Sequence, residues 1–376
     1  MNEIKMVDLK GQYLQIKQDL DAAIQEVIDN SEFINGSAVK VFQKNLEQYL
    51  SVKHVIPCAN GTDALQIAMM ALGLKPGDEI ITTNFTFIAT VEVIAMLGLK
   101  PVLADVDENT FLLSPESIEK LITSKTKAIV PVHLFGQCCD MEQIMKLANK
   151  YELFVIEDSA QAMGADFQYN DGTLQKAGTI GDIGCTSFFP SKNLGCFGDG
   201  GALFTNNDEL ALMIRSIANH GMKVRYYHDH IGINSRLDTI QAAILNVKLK
   251  NLEHYNTARQ KAADYYDRAF QNEQKIKIPL RVSYSNHIFH QYTVIIKDAD
   301  RDGLKNFLQS KGIPAMVYYP VTMHLQHAYQ YLGYRQGDFP VSEFLCKSVL
   351  SLPMHTELDN QQLEYITSTI TEFLSK

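Results

Sequence analysis

Apolar residues recur at helical spacing between residues 12 and 30, where Leu14, Leu20, Ile24, Val27 and Ile28 share one side. That spacing predicts an amphipathic helix. The turn Phe33-Ile34-Asn35-Gly36 separates it from a second helix that runs to about Leu50. From residue 54 the pattern changes, and short apolar runs alternate with helical stretches. Strands are predicted at 54–58, 79–82, 101–106, 128–132 and 153–158. Between them come a helix lasting to Leu72 and helices over 86–97, 115–122 and 141–150. Apolar runs this short between helices of this length imply a mostly parallel sheet covered on both faces. Ligands of such sheets sit at the carboxyl ends of the strands, and Phe87 and Asp158 both fall there.

Residues 169–181 are polar and glycine-rich and read as a loop. Strands at 184–189 and 202–205 form a hairpin-like pair, a helix covers 208–218, and 219–236 reads as loop. One long helix is predicted over 238–270, crossing between lobes. Beyond it the order becomes strand 289–296, helix 302–311, strand 315–319, and helices at 341–350 and the C-terminus. The organisation is therefore an α/β large domain over 1–250 and a smaller α+β domain over 251–376.

Composition narrows the class. The chain has 376 residues, with 46% apolar and 20% charged side chains, as in a soluble globular protein. A net charge of −9 argues against nucleic acid as a partner, since that partner calls for a basic patch. The six cysteines show no CxxC pair, so they read as reduced thiols of a cytoplasmic protein. The first residues lack the apolar centre of a signal peptide, and no apolar run is long enough to span a membrane. No metal is expected. His228 and His230 lack a spaced third ligand, and His324 with His327, at HxxH spacing, reads as polar surface or substrate cleft.

The chemistry centres on Thr186-Ser187-Phe188-Phe189-Pro190-Ser191-Lys192, followed by the glycine cluster Gly198-Asp199-Gly200-Gly201. A lysine in apolar and hydroxylated surroundings is partly desolvated, which lowers its pKa. The neutral amine is a nucleophile suited to a Schiff base with pyridoxal phosphate (PLP). An ordinary surface lysine beside a glycine turn is the plain alternative. Strand 54–58 runs into Ala59-Asn60-Gly61-Thr62-Asp63, a strand–glycine–helix step that can hold a phosphate. A simple helix cap explains the same residues. An acid at a buried strand end, Asp158, needs a partner, either a pyridinium nitrogen or the following turn. Gln161 could donate to a ring oxygen, Phe87 could stack on a planar ring, and Ser187 could bind phosphate. Arg236 suits a carboxylate or phosphate, and Tyr318 and Tyr319 suit a cleft or a sheet.

Taken together these stretches carry a resemblance. Ala59-Asn60-Gly61-Thr62-Asp63-Ala64-Leu65, Phe85-Thr86-Phe87-Ile88-Ala89-Thr90, His133-Leu134-Phe135-Gly136-Gln137, Ile156-Glu157-Asp158-Ser159-Ala160-Gln161, Ser187-Phe188-Phe189-Pro190-Ser191-Lys192 and Asn234-Ser235-Arg236-Leu237-Asp238 resemble the DegT/DnrJ/StrS sugar aminotransferases. These are fold-type I PLP enzymes, and the likeness runs from near Asp8 to the last helix. It implies PLP cycling through pyridoxamine phosphate, with catalytic Lys192 and Asp158. It implies cofactor contacts from Gly61, Thr62, Phe87, Asp158, Gln161, Ser187 and Lys192, and from Asn234 reaching across a homodimer to the partner's phosphate. Arg236, Tyr318, Tyr319 and His324 are the substrate candidates. L-glutamate is the implied donor and a nucleotide-linked keto sugar the acceptor. The motifs most resemble the branch that aminates carbon 3 of UDP-2-acetamido-3-keto-hexuronic acid, although Tyr318-Tyr319-Pro320 stands where that branch has His-Tyr-Pro. A dTDP-3-keto-6-deoxyhexose acceptor and a PLP-binding regulator without turnover are the alternatives.

Overall fold

The computed structural model describes residues 3–376. Its centre is a seven-stranded sheet: β1 (His54–Cys58), β2 (Glu79–Thr83), β3 (Lys100–Ala104), β4 (Thr126–Val130), β5 (Phe154–Asp158), β6 (Ile183–Ser187) and β7 (Gly201–Thr205). The spatial order is β1-β7-β6-β5-β4-β2-β3. Neighbours from β6 through β3 run parallel, and β7 runs antiparallel to both β1 and β6. Side chains of β4 show why the strand sequences lack a polar face. Ala128 and Val130 enter one apolar cluster with Ile67 and Ile214, while Ile129 enters another with Ile144 and Phe135. Alternate residues point to opposite faces, and here helices cover both.

A second, three-stranded antiparallel sheet holds β8 (Ile276–Lys277), β9 (Tyr292–Ile296) and β10 (Val349–Leu352). Tyr266, Phe270, Leu308 and Ile366, from the helices around it, fill its core. Its other side docks on the large sheet, where Ile295, Leu345 and Val349 join the same cluster as Ile81 and Val102. Asp105, just past β3, accepts from the Val341 and Ser342 amides at 2.9 and 2.8 Å. These are the first amides of the helix Pro340–Ser348, so the large sheet caps a C-terminal helix.

Several elements differ from the sequence reading. The stretch 238–270 forms two helices, Thr239–Leu249 and Leu252–Phe270. Between them the Asn251 side chain donates to the Val247 carbonyl at 3.2 Å, a local bond that competes with helix continuation. Residues 315–319 form no strand, only a single bridge between Met316 and Ser351. Pro314 and Pro320 flank it and have no amide to give a ladder. The expected helix 341–350 ends at Ser348, and its last residues become β10. One small hairpin, Asp166–Gln168 with Leu174–Lys176, starts just before the first expected loop and runs into it, and another, Met222–Val224 with Tyr227–His228, lies within the second. The N-terminal helix is two, Leu9–Gln15 and Lys17–Asn30. Leu20 and Val27 are buried, whereas Leu14 and Ile28 are exposed.

Candidate active site

The carboxyl ends of β1, β5 and β6 meet at one place. Asn60 caps the helix Gly61–Ala71, its side chain accepting from the Asp63 amide at 2.8 Å. Helix geometry leaves the Gly61 and Thr62 amides without an intrahelical acceptor. Ser187, the last residue of β6, lies directly against Gly61: a Cβ built on Gly61 would come within 2.8 Å of the Ser187 Cβ. Gly201 backs the same turn, since a Cβ there would meet the Asn60 carbonyl at 2.5 Å. Only glycine permits this approach. The result is a cradle of two free amides at a positive helix end, with the Thr62 and Ser187 hydroxyls beside it, which suits a phosphate.

Asp158 ends β5 and is buried. Its Oδ2 accepts from the Thr90 hydroxyl at 2.8 Å and its Oδ1 from the Ala160 amide at 3.2 Å. Three residues on, Gln161 accepts from the Phe135 amide at 2.7 Å and donates through Nε2 to the Tyr319 hydroxyl at 3.0 Å. Tyr319 in turn lies 6.3 Å from Phe87 and 6.0 Å from Phe85, ring centre to ring centre. Phe85 is buried, while Phe87 is 56% exposed and offers a ring face. The structure thus groups Asp158, Gln161, Phe87 and Tyr319. Burial pushes the Tyr319 phenol well above its ordinary range, with the Asp158 charge adding to the shift, so Tyr319 is a neutral hydroxyl.

Lys192 sits in the tight loop between β6 and β7, closed by bonds from the Lys192 amide to Phe189 O and from the Cys196 amide to Phe188 O, both 2.8 Å. Part of its surface stays accessible, yet the surrounding protein desolvates the amine. That burial lowers its pKa to about 8, against an opposing pull from the Asp158 charge. Asn193 anchors the loop. Its Nδ2 donates to Asn256 Oδ1 at 2.7 Å and to Ile288 O at 3.2 Å, and Asn256 donates onward to Met163 O at 3.3 Å. A depressed lysine has a kinetic signature. In apoprotein the rate of imine formation with PLP should rise about tenfold per pH unit below pH 8 and level off above it, because only the free amine attacks. Stopped-flow mixing across pH 6–10 checks this. A rise continuing to pH 10 would show an unperturbed amine.

Other predicted residues fall differently. Tyr318 is half-buried beside Tyr319, at 6.1 Å between ring centres. Arg236 is partly exposed and Asn234 exposed. Between them Ser235 accepts from the Ala59 amide at 3.0 Å, which ties this segment to the phosphate turn of the same chain. Within one chain no hydrogen bond joins Asn234 to the cofactor-site side chains among the described residues. The expectation of a cleft-lining His324 is not met. Its ring is buried, with Nδ1 bonded to Asn84 and Thr322 at 2.8 Å each and Nε2 to Glu343 at 3.1 Å. It has no free atom for a substrate and instead fixes the segment after Tyr319. No group of three or more His, Cys, Asp or Glu side chains placed to hold a metal ion occurs among the described residues.

Two supports escaped the sequence reading. Glu157 is wholly buried and accepts from the Gly178, Ile180 and Gly181 amides at 2.9, 2.6 and 2.6 Å. It also accepts from His133 Nε2 at 2.8 Å, while His133 Nδ1 takes the Cys139 amide at 3.1 Å. The His133 amide donates to the Asp158 carbonyl at 3.0 Å. Glu157 thus braces the strand end that carries Asp158. The doublet Glu157-Asp158 was a usable signal: neighbours on a strand face opposite ways, so each acid needed its own partners. Thr90 is the second support.

A phosphate cradle, a buried acid at the next strand end and a desolvated lysine between them on one doubly covered sheet define the fold-type I arrangement of PLP enzymes. The chain belongs to the DegT/DnrJ/EryC1/StrS aminotransferase family, whose model matches residues 14–371. It is 46% identical over 372 residues to a "Pleiotropic regulatory protein" of Geobacillus stearothermophilus, covering 98% of each chain. It is 44% identical over 368 residues to the UDP-2-acetamido-2-deoxy-3-oxo-D-glucuronate aminotransferase of Pseudomonas aeruginosa, covering 98% of this chain and 99% of that one. A crystal structure of a DegT DnrJ EryC1 StrS aminotransferase from Brucella abortus superposes with a TM-score of 0.93 at 41% identity, over 99% of this chain and 100% of that one. The protein is a PLP-dependent aminotransferase, and the residues present fit that cofactor.

Proposed function

We propose that this chain moves the amino group of L-glutamate to keto carbon 3 of UDP-2-acetamido-2-deoxy-3-keto-hexuronic acid, in the making of a surface polysaccharide or other glycan. The observation that carries the reading is the desolvated Lys192 amine beside the Asp158 charge. A lysine whose pKa is lowered toward neutrality is free base more often than an ordinary one and can take a proton from a carbon acid and return it. The choice of sugar rests on the motifs around residues 58–65, 137–140, 192–201 and 234–243 and on the Pseudomonas relative.

PLP supplies the electron sink that makes the α-proton of an amino acid removable. The Gly61 and Thr62 amides, with the Thr62 and Ser187 hydroxyls, would hold its phosphate. Phe87 would cover a ring face, Asp158 would accept the ring N–H, and Gln161 would donate to the ring oxygen. Lys192 would hold the cofactor covalently at rest and, as a free amine, would take a proton from the carbon of the amino donor and return it in the opposite sense when the keto sugar is the acceptor. Tyr318 and Tyr319 line the sugar cleft, and Arg236 faces a carboxylate or diphosphate. Two copies share their sites, each lending Asn234 to the other. Exposed Leu14, Ile28, Phe33, Ile34 and Val41 on the N-terminal helices and their turn supply an apolar face for that pairing. Six unpaired, buried cysteines support a reducing, cytoplasmic setting, and no helix is long and apolar enough to cross a membrane among the described residues.

The deciding experiment supplies holoenzyme and L-glutamate with either UDP-2-acetamido-3-keto-hexuronic acid or a dTDP-3-keto-6-deoxyhexose and follows the amino sugar by mass spectrometry. Preference for the uronic acid is expected. Turnover of only the deoxyhexose would replace the acceptor, and no turnover of glutamate at all would favour a regulator that binds PLP.

A further inference from the structure

We propose that Thr90 is a positioning residue for Asp158, an inference that rests on the function proposed above. Thr90 stands at the second position of the helix Ala89–Met96, reached from β2 through Phe85-Thr86-Phe87. Its side chain is buried, and its hydroxyl donates to Asp158 Oδ2 at 2.8 Å. The Thr86 hydroxyl lies 3.5 Å behind it. The other oxygen, Oδ1, takes the Ala160 amide at 3.2 Å. Each carboxylate oxygen therefore has one protein donor, and the two donors come from different elements. Together they fix the plane of the carboxylate and leave one acceptor site on each oxygen for a ring N–H.

The Ala160 bond alone, from a residue two positions along the same chain, leaves the carboxylate free to turn about its own χ2 torsion, which is broad for such side chains. Thr90 removes that freedom. It belongs to the segment that also presents Phe87, so one stretch of chain sets both the ring face and the direction of the acid. The bond to Asp158 and the neighbouring Thr86 hydroxyl hold the Thr90 hydroxyl in place before the cofactor arrives.

The test compares Thr90→Val, which keeps the shape and loses the donor, with Thr90→Ser, which keeps the donor. Each is loaded with PLP labelled with nitrogen-15 in the ring. Two readouts are taken: the ring nitrogen chemical shift, and the single-turnover rate of 2-oxoglutarate release from L-glutamate. Thr90→Val should move the shift toward the deprotonated nitrogen and slow the half-reaction on the order of 10- to 100-fold, the worth of a hydrogen bond to a charged group. Thr90→Ser should stay within about threefold of the parent in rate and keep its shift. A Thr90→Val protein with the parent's shift and rate would overturn the inference. So would a Thr90→Ser protein as impaired as the valine variant, since packing and not the hydroxyl would then matter. If the valine variant does not fold, Thr90→Ala takes its place against the same serine control. A parent protein that releases 2-oxoglutarate while neither substitution matters overturns only the role of Thr90; a parent that binds no PLP overturns the proposed function itself.

Discussion

Lys192→Ala should fold, keep a pocket for PLP and lose amino transfer. The loss is put at about 10³-fold or more, since a positioned proton-transfer group alone is worth 10² to 10⁴ and here the covalent anchor goes as well. Folding is expected to survive because the loop is held by Asn193, the Phe188 and Phe189 carbonyls and Cys196, none of which needs the amine. Stability should separate from the parent in a defined pH window. The folded pKa of about 8 lies below the usual lysine value. Between the two, the unfolded chain binds a proton that the folded chain does not, so parent apoprotein gains stability as pH rises through that interval. The variant lacks the Lys192 contribution and keeps only that of Lys248, which burial also lowers to about 8, so the difference between the two proteins reports Lys192. Thermal melts of both apoproteins from pH 7 to 10.5 check the window, and glutamate half-reaction assays check the chemistry. Retained turnover would remove Lys192 from its role.

Asp158→Asn is the second large effect. The change keeps the shape and removes the anion that a ring N–H would face. It also turns an amide NH₂ toward either the Thr90 hydroxyl or the Ala160 amide, both of which now donate to the carboxylate. The half-reaction should slow on the order of 10²- to 10³-fold, as when a preorganised charge partner is removed from a reacting centre. PLP should still attach at Lys192, because the amine and the phosphate cradle are untouched. Single-turnover rates with saturating L-glutamate measure it. A rate within about threefold of the parent would mean that Asp158 serves only the fold.

Much of this was legible in the chain because local patterns agreed with the global fold. The β1 step into Asn60-Gly61-Thr62, the acid closing β5 and the lysine after β6 are each strand-end events, and a parallel sheet gathers strand ends on one edge. What was not legible depends on partners distant in sequence. His324 looked like a cleft residue, yet Asn84, 240 residues away, and Glu343 take its ring. Thr90 reads as one more helical residue until Asp158, 68 positions on, accepts its hydroxyl. Glu157 hid inside an apolar run because its donors, His133 and the amides of Gly178, Ile180 and Gly181, lie more than 20 residues away on either side. The broken helix near residue 250 turned on one asparagine side chain, and the missing strand at 315–319 on the two prolines that flank it. Asn234 and Arg236 belong to a segment whose counterpart the proposal puts in a second copy, a relation that one chain does not contain.

The most direct test of the central claim is the visible spectrum of the purified protein with PLP, before and after L-glutamate. The account predicts an absorption band from lysine-linked PLP that bleaches to the pyridoxamine phosphate form, with one 2-oxoglutarate released per site. A folded protein that forms no such band with PLP, or a band that glutamate leaves unchanged, would contradict it.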